Sequence, residues 1–201
     1  MIVEYLGIPG SGKTYQANLY KQELRQRGEH FIDLSRWKGM SIILKVFYKL
    51  TDKTFLWIPK YRKQRTRLRE LCKNAYEVSP KYLPFSVNYC IDRIISSVFL
   101  QDVFGKYKTV AINDEGLMQW VVFLSIQYGV SINKILATLS PFNPNCQTRY
   151  IVSSVETAFS NIKKRNRHVC PMDEMKDESL MKYLEEFESA CKQTMANSRN
   201  L

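Results

Sequence analysis

Eight residues near the start of the chain, Gly7-Ile8-Pro9-Gly10-Ser11-Gly12-Lys13-Thr14, restrict the fold more than any other feature of the sequence. They satisfy the pattern G-x-x-x-x-G-K-[ST] in full. Before them lies the apolar run Ile2–Leu6, which reads as a short buried strand. After them, Tyr15–Arg27 places Ala17, Leu19, Tyr20 and Leu24 at helical spacing, with Gly28 as the C-terminal cap. Glycines let such a strand-to-helix turn fold tightly and point its N–H groups inward, where the helix dipole adds positive potential for phosphate oxygens. Lys13 is then placed to reach β- and γ-phosphates, and the Thr14 hydroxyl to ligate Mg²⁺. Gly7, Pro9, Gly10, Ser11, Gly12, Lys13 and Thr14 are therefore the candidate site for ATP, with Thr14 on the metal.

The strand pattern continues at His30–Leu34, so the first 35 residues read strand, helix, strand, the length of a parallel crossover unit. A third strand is expected at Thr109–Asn113 and a fourth at Arg149–Val155. Helices are expected at Arg62–Tyr76, Phe85–Phe104, Gly116–Tyr128, Ile132–Leu139, Glu156–Arg167 and Glu178–Ala196, with Pro59, Pro80 and Pro84 as punctuation. The alternation predicts one α/β three-layer domain over residues 1–201, a parallel sheet flanked by helices, with a helical insertion at 36–108 between the second and third strands.

Composition narrows the functional classes. With 201 residues, 45% apolar and 24% charged, the chain is long enough to bury a core and ordinary enough to exclude a disordered or collagenous protein. Its longest strongly apolar stretch, starting at Trp120, is far short of the roughly 20 residues that span a bilayer, and the start Met-Ile-Val-Glu lacks the features of a signal peptide. Five cysteines, none in a C-x-x-C pair, suit reduced thiols in the cytoplasm. The net charge of +11 favours anionic partners: phosphorylated metabolites, nucleic acid or acidic membranes.

Two further constellations carry chemistry. The third strand runs into Asn113-Asp114-Glu115-Gly116, an apolar run ending in two carboxylates. A carboxylate there can hold the Mg²⁺ shell, or take a proton from an attacking hydroxyl; the plainer role for Asp114 is a helix cap. After the fourth strand, the helix Val155-Glu156-Thr157-Ala158-Phe159-Ser160-Asn161-Ile162-Lys163-Lys164-Arg165-Asn166-Arg167 ends in a cluster of cations, suited either to charge developing on a transferring phosphoryl group or to the helix's own dipole.

The glycine-rich loop, the Asp114-Glu115-Gly116 strand end and this basic helix occur in the order of P-loop kinases, and the chain resembles thymidylate kinase-like and nucleoside monophosphate kinase-like proteins over roughly residues 1–35 and 109–168. The resemblance implies ATP-dependent phosphoryl transfer with Mg²⁺, a lid-like segment at 156–177 whose Arg165 and Arg167 stabilise the transferring group, and Asp114 in the family's acidic position. It also implies an acceptor bound by the segment after the second strand. That segment holds the dense run Lys60, Arg62, Lys63, Arg65, Arg67, Arg69 and Lys73, and Ser35-Arg36 precedes it. Arg36, Arg62, Arg65 and Arg69 are accordingly the candidate contacts to an anionic acceptor, against the alternative of a solvated helix face. The sequence departs from the family at Asn161, which stands where an arginine is usual, and after Asp114, where Glu-Gly replaces Arg-Tyr. The chain stops soon after its last helix, where the family usually adds a fifth strand, so the expectation is either that this strand is missing or that the edge of the sheet differs. The alternative function is a P-loop ATPase or nucleotide-switched binding protein acting on nucleic acid or another partner. In it, Asp114 would hold metal and Glu115 would activate water.

Overall fold

The computed structural model describes residues 1–34, 57–140, 146–165 and 170–198. Arg36 and Arg167 lie outside them, as does most of the first part of the 36–108 insertion. Four parallel strands form one sheet: β1 (Ile2–Leu6), β2 (Phe31–Asp33), β3 (Val110–Asn113) and β4 (Cys146–Tyr150), in the order β2-β3-β1-β4. The register sets Ile2 against both Ala111 and Cys146, and Glu4 against Asn113 and Thr148.

β1 is buried along its whole length, as an inner parallel strand covered on both faces must be. Val3 and Tyr5 pack with Val110 and Ile112 of β3 against Ala17 and Leu24 of α1 (Lys13–Gln26). Leu6 belongs to the larger core on the other face. That core is built by α2 (Pro59–Leu71), α3 (Val87–Phe104), α4 (Leu117–Tyr128), α5 (Ile132–Leu139), α6 (Val155–Arg165) and α7 (Asp177–Ser198). Helix–sheet–helix layering of this kind is the three-layer arrangement expected from the alternating pattern. Among the described residues, no helix is long and apolar enough to cross a membrane.

Local chemistry explains most boundaries. Gly28 adopts φ +70° and closes α1, with the Glu29 N–H returning to the Leu24 carbonyl at 2.9 Å. Pro59 opens α2, whose buried residues Tyr61, Gln64 and Leu68 recur at helical spacing. The helix stops at Leu71 and a short 3₁₀ turn at Lys73–Glu77 follows, so the expected single helix to Tyr76 is two elements. Ser86 caps α3 by accepting the Tyr89 N–H at 3.2 Å.

The fourth strand differs from expectation in an instructive way. It covers Cys146–Tyr150, earlier than the apolar run Arg149–Val155 suggests. Its extent is fixed by its partner, because β1 ends at Leu6, where Gly7 turns into the loop. The last ladder contact is the Ile151 N–H to the Leu6 carbonyl at 2.8 Å. Beyond it the chain leaves the sheet, and the Ser154 hydroxyl accepts the Thr157 N–H at 3.2 Å to start α6. The sheet has four strands among the described residues.

Leu68 is fully buried and Arg62, on the same helix, is exposed. Leu68→Ala should therefore lower unfolding stability by about 2–5 kcal/mol, whereas Arg62→Gln should stay within about 0.5 kcal/mol of wild type. Urea unfolding of the two variants checks the seating of α2.

Candidate active site

The loop between β1 and α1 takes its shape from glycine. Gly10 and Gly12 adopt φ +83° and +89°, conformations that side chains resist. Gly10 is constrained twice, since a Cβ there would lie 2.4 Å from the Ala158 carbonyl oxygen of α6. Asn161, one turn on, donates its amide to the Gly10 carbonyl at 3.0 Å. The side chain standing in place of a family arginine thus braces the loop. Gly7 at the loop's start donates its N–H to Gln119 Oε1 of α4 at 3.3 Å.

Lys13 is half-buried and turns its ammonium back over the loop, 2.8 Å from the Gly7 carbonyl and 3.1 Å from that of Ile8. Burial lowers its pKa, opposed by the nearby carboxylates Glu115 and Asp114, while the cationic Arg165 adds to the lowering. Lys13, Asp114, Glu115 and Arg165 are therefore brought into one electrostatic neighbourhood. The Thr14 hydroxyl donates to Asp114 Oδ2 at 2.9 Å, joining the first turn of α1 to the end of β3. Two hard oxygen donors side by side next to a phosphate-shaped loop fit a divalent cation such as Mg²⁺. Among the described residues no cluster of three or more His, Cys, Asp or Glu side chains forms a protein-only metal site. A cation here would draw its other ligands from phosphate and water.

Beside Lys13 opens a cavity of about 330 Å³. Pro9, Lys13, Glu115 and Gln119 form its loop-side wall, and the opposite side is largely aromatic. Phe85 and Tyr89 stack at 5.1 Å with 16° between their planes. Trp120 meets Tyr89 edge-on at 5.7 Å and Phe123 at 5.5 Å. The Arg93 guanidinium lies 4.9 Å from the Trp120 ring centroid, and Tyr183 and Phe187 of α7 complete the wall. The Trp120 indole N–H is buried without a hydrogen-bond partner in the described structure. Trp120 and Phe123, which read from sequence as core, are both core and cavity wall.

The basic helix α2 stands elsewhere. Arg65 forms a two-pronged ion pair with Asp92 at 2.6 and 2.8 Å, Arg69 donates to Asn88 at 3.1 Å, and Lys60 pairs with Asp102 at 2.6 Å. Arg62 is exposed, and Arg62, Arg65 and Arg69 do not line the cavity. On α6, Lys163 pairs with Asp177 at the start of α7, whereas Lys164 and Arg165 are exposed. Sequence reading missed Arg93, Gln119, Tyr89 and Tyr183. The available signal was the Asp92-Arg93 pair in the middle of a largely apolar stretch, Cys90–Ile95.

No protein-family model matches this sequence, and no curated protein matches it. Among solved structures, it is similar to that of deoxyadenosine kinase from M. mycoides with bound dATP, at 15% identity and a TM-score of 0.50, covering 98% of this chain and 87% of that one. The fold is that of a P-loop kinase. The identity is low enough that the likeness carries the fold and leaves the chemistry to this chain's own residues.

One carboxyl behind the site is perturbed. Glu4, on the central strand and 1% exposed, has its pKa raised by burial to about 7, against smaller opposing contributions from Gln101, the Leu117 N–H and Cys146. Between the ordinary carboxylate pKa and about 7, the folded chain keeps a proton that the unfolded chain releases, so folding loses stability as pH rises through that window. Glu4→Gln carries no such proton. Relative to wild type, its stability should rise by about 2–3 kcal/mol from pH 5 to pH 8, read by urea titrations at each pH. Gly10→Ala should lose nucleotide affinity by about tenfold or more, because the left-handed backbone and the Ala158 carbonyl both oppose a Cβ. Titration with a fluorescent ATP analogue measures it.

Proposed function

We propose that this protein is an ATP-dependent phosphotransferase that binds the nucleotide at Gly7–Thr14 and holds a hydroxyl-bearing acceptor in the aromatic cavity beside Lys13. The observation that carries this reading is one juxtaposition. Thr14, next to Lys13, is joined to Asp114 at 2.9 Å, and Lys13 and Glu115, next to Asp114, both line the cavity. Nucleotide phosphates and an acceptor would thus meet over the same ammonium.

Phosphoryl transfer is mainly positioning and charge stabilisation, so few reactive groups are needed. The loop N–H groups and Lys13 would hold the phosphates. Thr14 and Asp114 would hold Mg²⁺, which when bound neutralises charge on the phosphate oxygens. Glu115, at the cavity wall, would accept the proton of the attacking hydroxyl. Arg165, close enough to influence Lys13, would add positive charge toward the transferred group, and Arg167 would extend it.

Aromatic walls favour an acceptor with a flat ring, through stacking and burial of its faces. Arg93 supplies one cation for an anionic substituent. A nucleoside has the ring and the hydroxyl, and the structurally similar protein is a deoxyadenosine kinase, so nucleosides are the first class to assay. On this reading the exposed cations of α2 serve the protein's surface, and the acceptor depends on α3, α4 and α7.

An ADP-release assay with ATP, Mg²⁺ and a panel of nucleosides, sugars and sugar phosphates tests the proposal. Turnover should require an acceptor and favour ring-bearing alcohols; release of free phosphate independent of any acceptor would support hydrolysis instead. Lys13→Ala should abolish turnover with its urea midpoint little changed. Glu115→Gln should lower kcat by about 10²–10⁴-fold. Tyr89→Ala, whose ring is 43% exposed and contributes little to the core, should raise acceptor KM and leave ATP KM unmoved. An acceptor KM that rises with Arg62→Gln and ignores Tyr89→Ala would return the acceptor to α2.

A further inference from the structure

We propose that Glu4 is the N-terminal cap of α4, supplied from the neighbouring strand, and that it fixes the Asp114–Glu115 turn for metal-dependent nucleotide binding. The second half of this statement rests on the metal role given above to Thr14 and Asp114; the first half stands on the geometry alone.

A helix begins with N–H groups that have no partner within the helix, and a Ser, Thr, Asp or Asn at the cap position normally serves one of them. At α4 the cap position is Gly116, which has no side chain, and its backbone is extended at φ −88°, ψ −164°. The Leu117 N–H is instead accepted by Glu4 Oε2 at 2.9 Å, across 113 residues of sequence. The glycine and the Glu4 side chain are complementary in space: a Cβ on residue 116 would lie 2.1 Å from Glu4 Cδ, 2.3 Å from Oε2 and 2.6 Å from Glu4 Cβ. Extended φ allows any residue at position 116, so the exclusion comes from Glu4 and from nothing in the backbone.

The turn in question is only two residues long. On its strand side, Asn113 is held by its pairing with Glu4 in the sheet, and its Oδ1 accepts the Glu115 N–H at 3.3 Å. On its helix side, Gly116–Leu117 is held by the Glu4 side chain. Glu4 therefore grips both ends of the Asp114–Glu115 segment, one through backbone register and one through its carboxyl. Burying a carboxyl in the middle of a central strand is costly. Here the cost secures the direction in which two functional carboxylates leave the sheet. Glu4 touches neither phosphate nor metal in this arrangement, so it is a positioning residue.

The test needs no acceptor. ATP binding by calorimetry, with Mg²⁺ and with EDTA, gives a Mg²⁺-dependent gain for each protein, and amide hydrogen exchange reads Leu117 directly. Glu4→Ala should reduce the Mg²⁺-dependent gain about fivefold, the equivalent of one lost helix cap, and leave ATP affinity in EDTA unchanged. Glu4→Gln should restore the gain, because its amide oxygen still accepts the Leu117 N–H. Exchange at Leu117 should accelerate in Glu4→Ala and recover in Glu4→Gln. A full Mg²⁺ gain in folded Glu4→Ala overturns the positioning role. Unchanged Leu117 exchange in that variant overturns the cap. If wild type itself shows no Mg²⁺ gain, the metal reading of Thr14 and Asp114 fails, and the exchange result still decides whether Glu4 caps α4.

Discussion

The site depends on β1 lying between β3 and β4 in parallel register. Parallel strands deliver their C-terminal ends to one edge of the sheet, so the loop leaving β1 and the carboxylates leaving β3 arrive together. With Glu4 opposite Asn113, the Thr14 hydroxyl reaches Asp114 at 2.9 Å. A slip of one residue would turn every side chain of β3 to the opposite face and end that contact. The β4 pairing acts from the other side. It carries α6 onto the loop, where the Ala158 backbone excludes any side chain at Gly10 and Asn161 takes up its carbonyl.

Elements whose cause is local were legible in the sequence. The glycine loop, the α1 stop at Gly28, the helix at Ile132–Leu139 and the carboxylates after β3 each depend on neighbouring residues, and the structure has them where the pattern puts them. The end of β4 was less legible because a partner 144 residues away sets its length. Hydrophobicity alone continues past Tyr150, but there is no strand left to pair with. The cavity was hidden for a related reason. Its walls come from α3, α4 and α7, and a tyrosine or tryptophan at helical spacing looks the same whether it faces a core or a cavity.

The cationic run on α2 has its partners distant in sequence. Arg65 and Lys60 meet Asp92 and Asp102 on α3, roughly one helix away in space and 27 and 42 residues away along the chain. These pairs lay α2 along α3 and occupy cations that composition alone would offer to a ligand. Exposed pairs of this kind contribute little stability each. Their consequence is orientation, since they hold Tyr61, Gln64 and Leu68 toward the core and leave Arg62 and its neighbours to solvent.

Helix α4 then joins the two halves of the site. Its first N–H is held by Glu4 and its Gln119 accepts the Gly7 N–H, so both ends of the segment from the Asp114 turn to the cavity floor are tied to β1 and its loop. The next residue, Trp120, is a wall of the cavity, with Arg93 over its ring. A ligand that presses on Trp120 would act on a helix fixed to the loop one residue from its own contact. Packed interiors transmit such displacements because they have little free volume to absorb them. On the function proposed above, an acceptor against the aromatic wall and a nucleotide in the loop would share one helix as their common support.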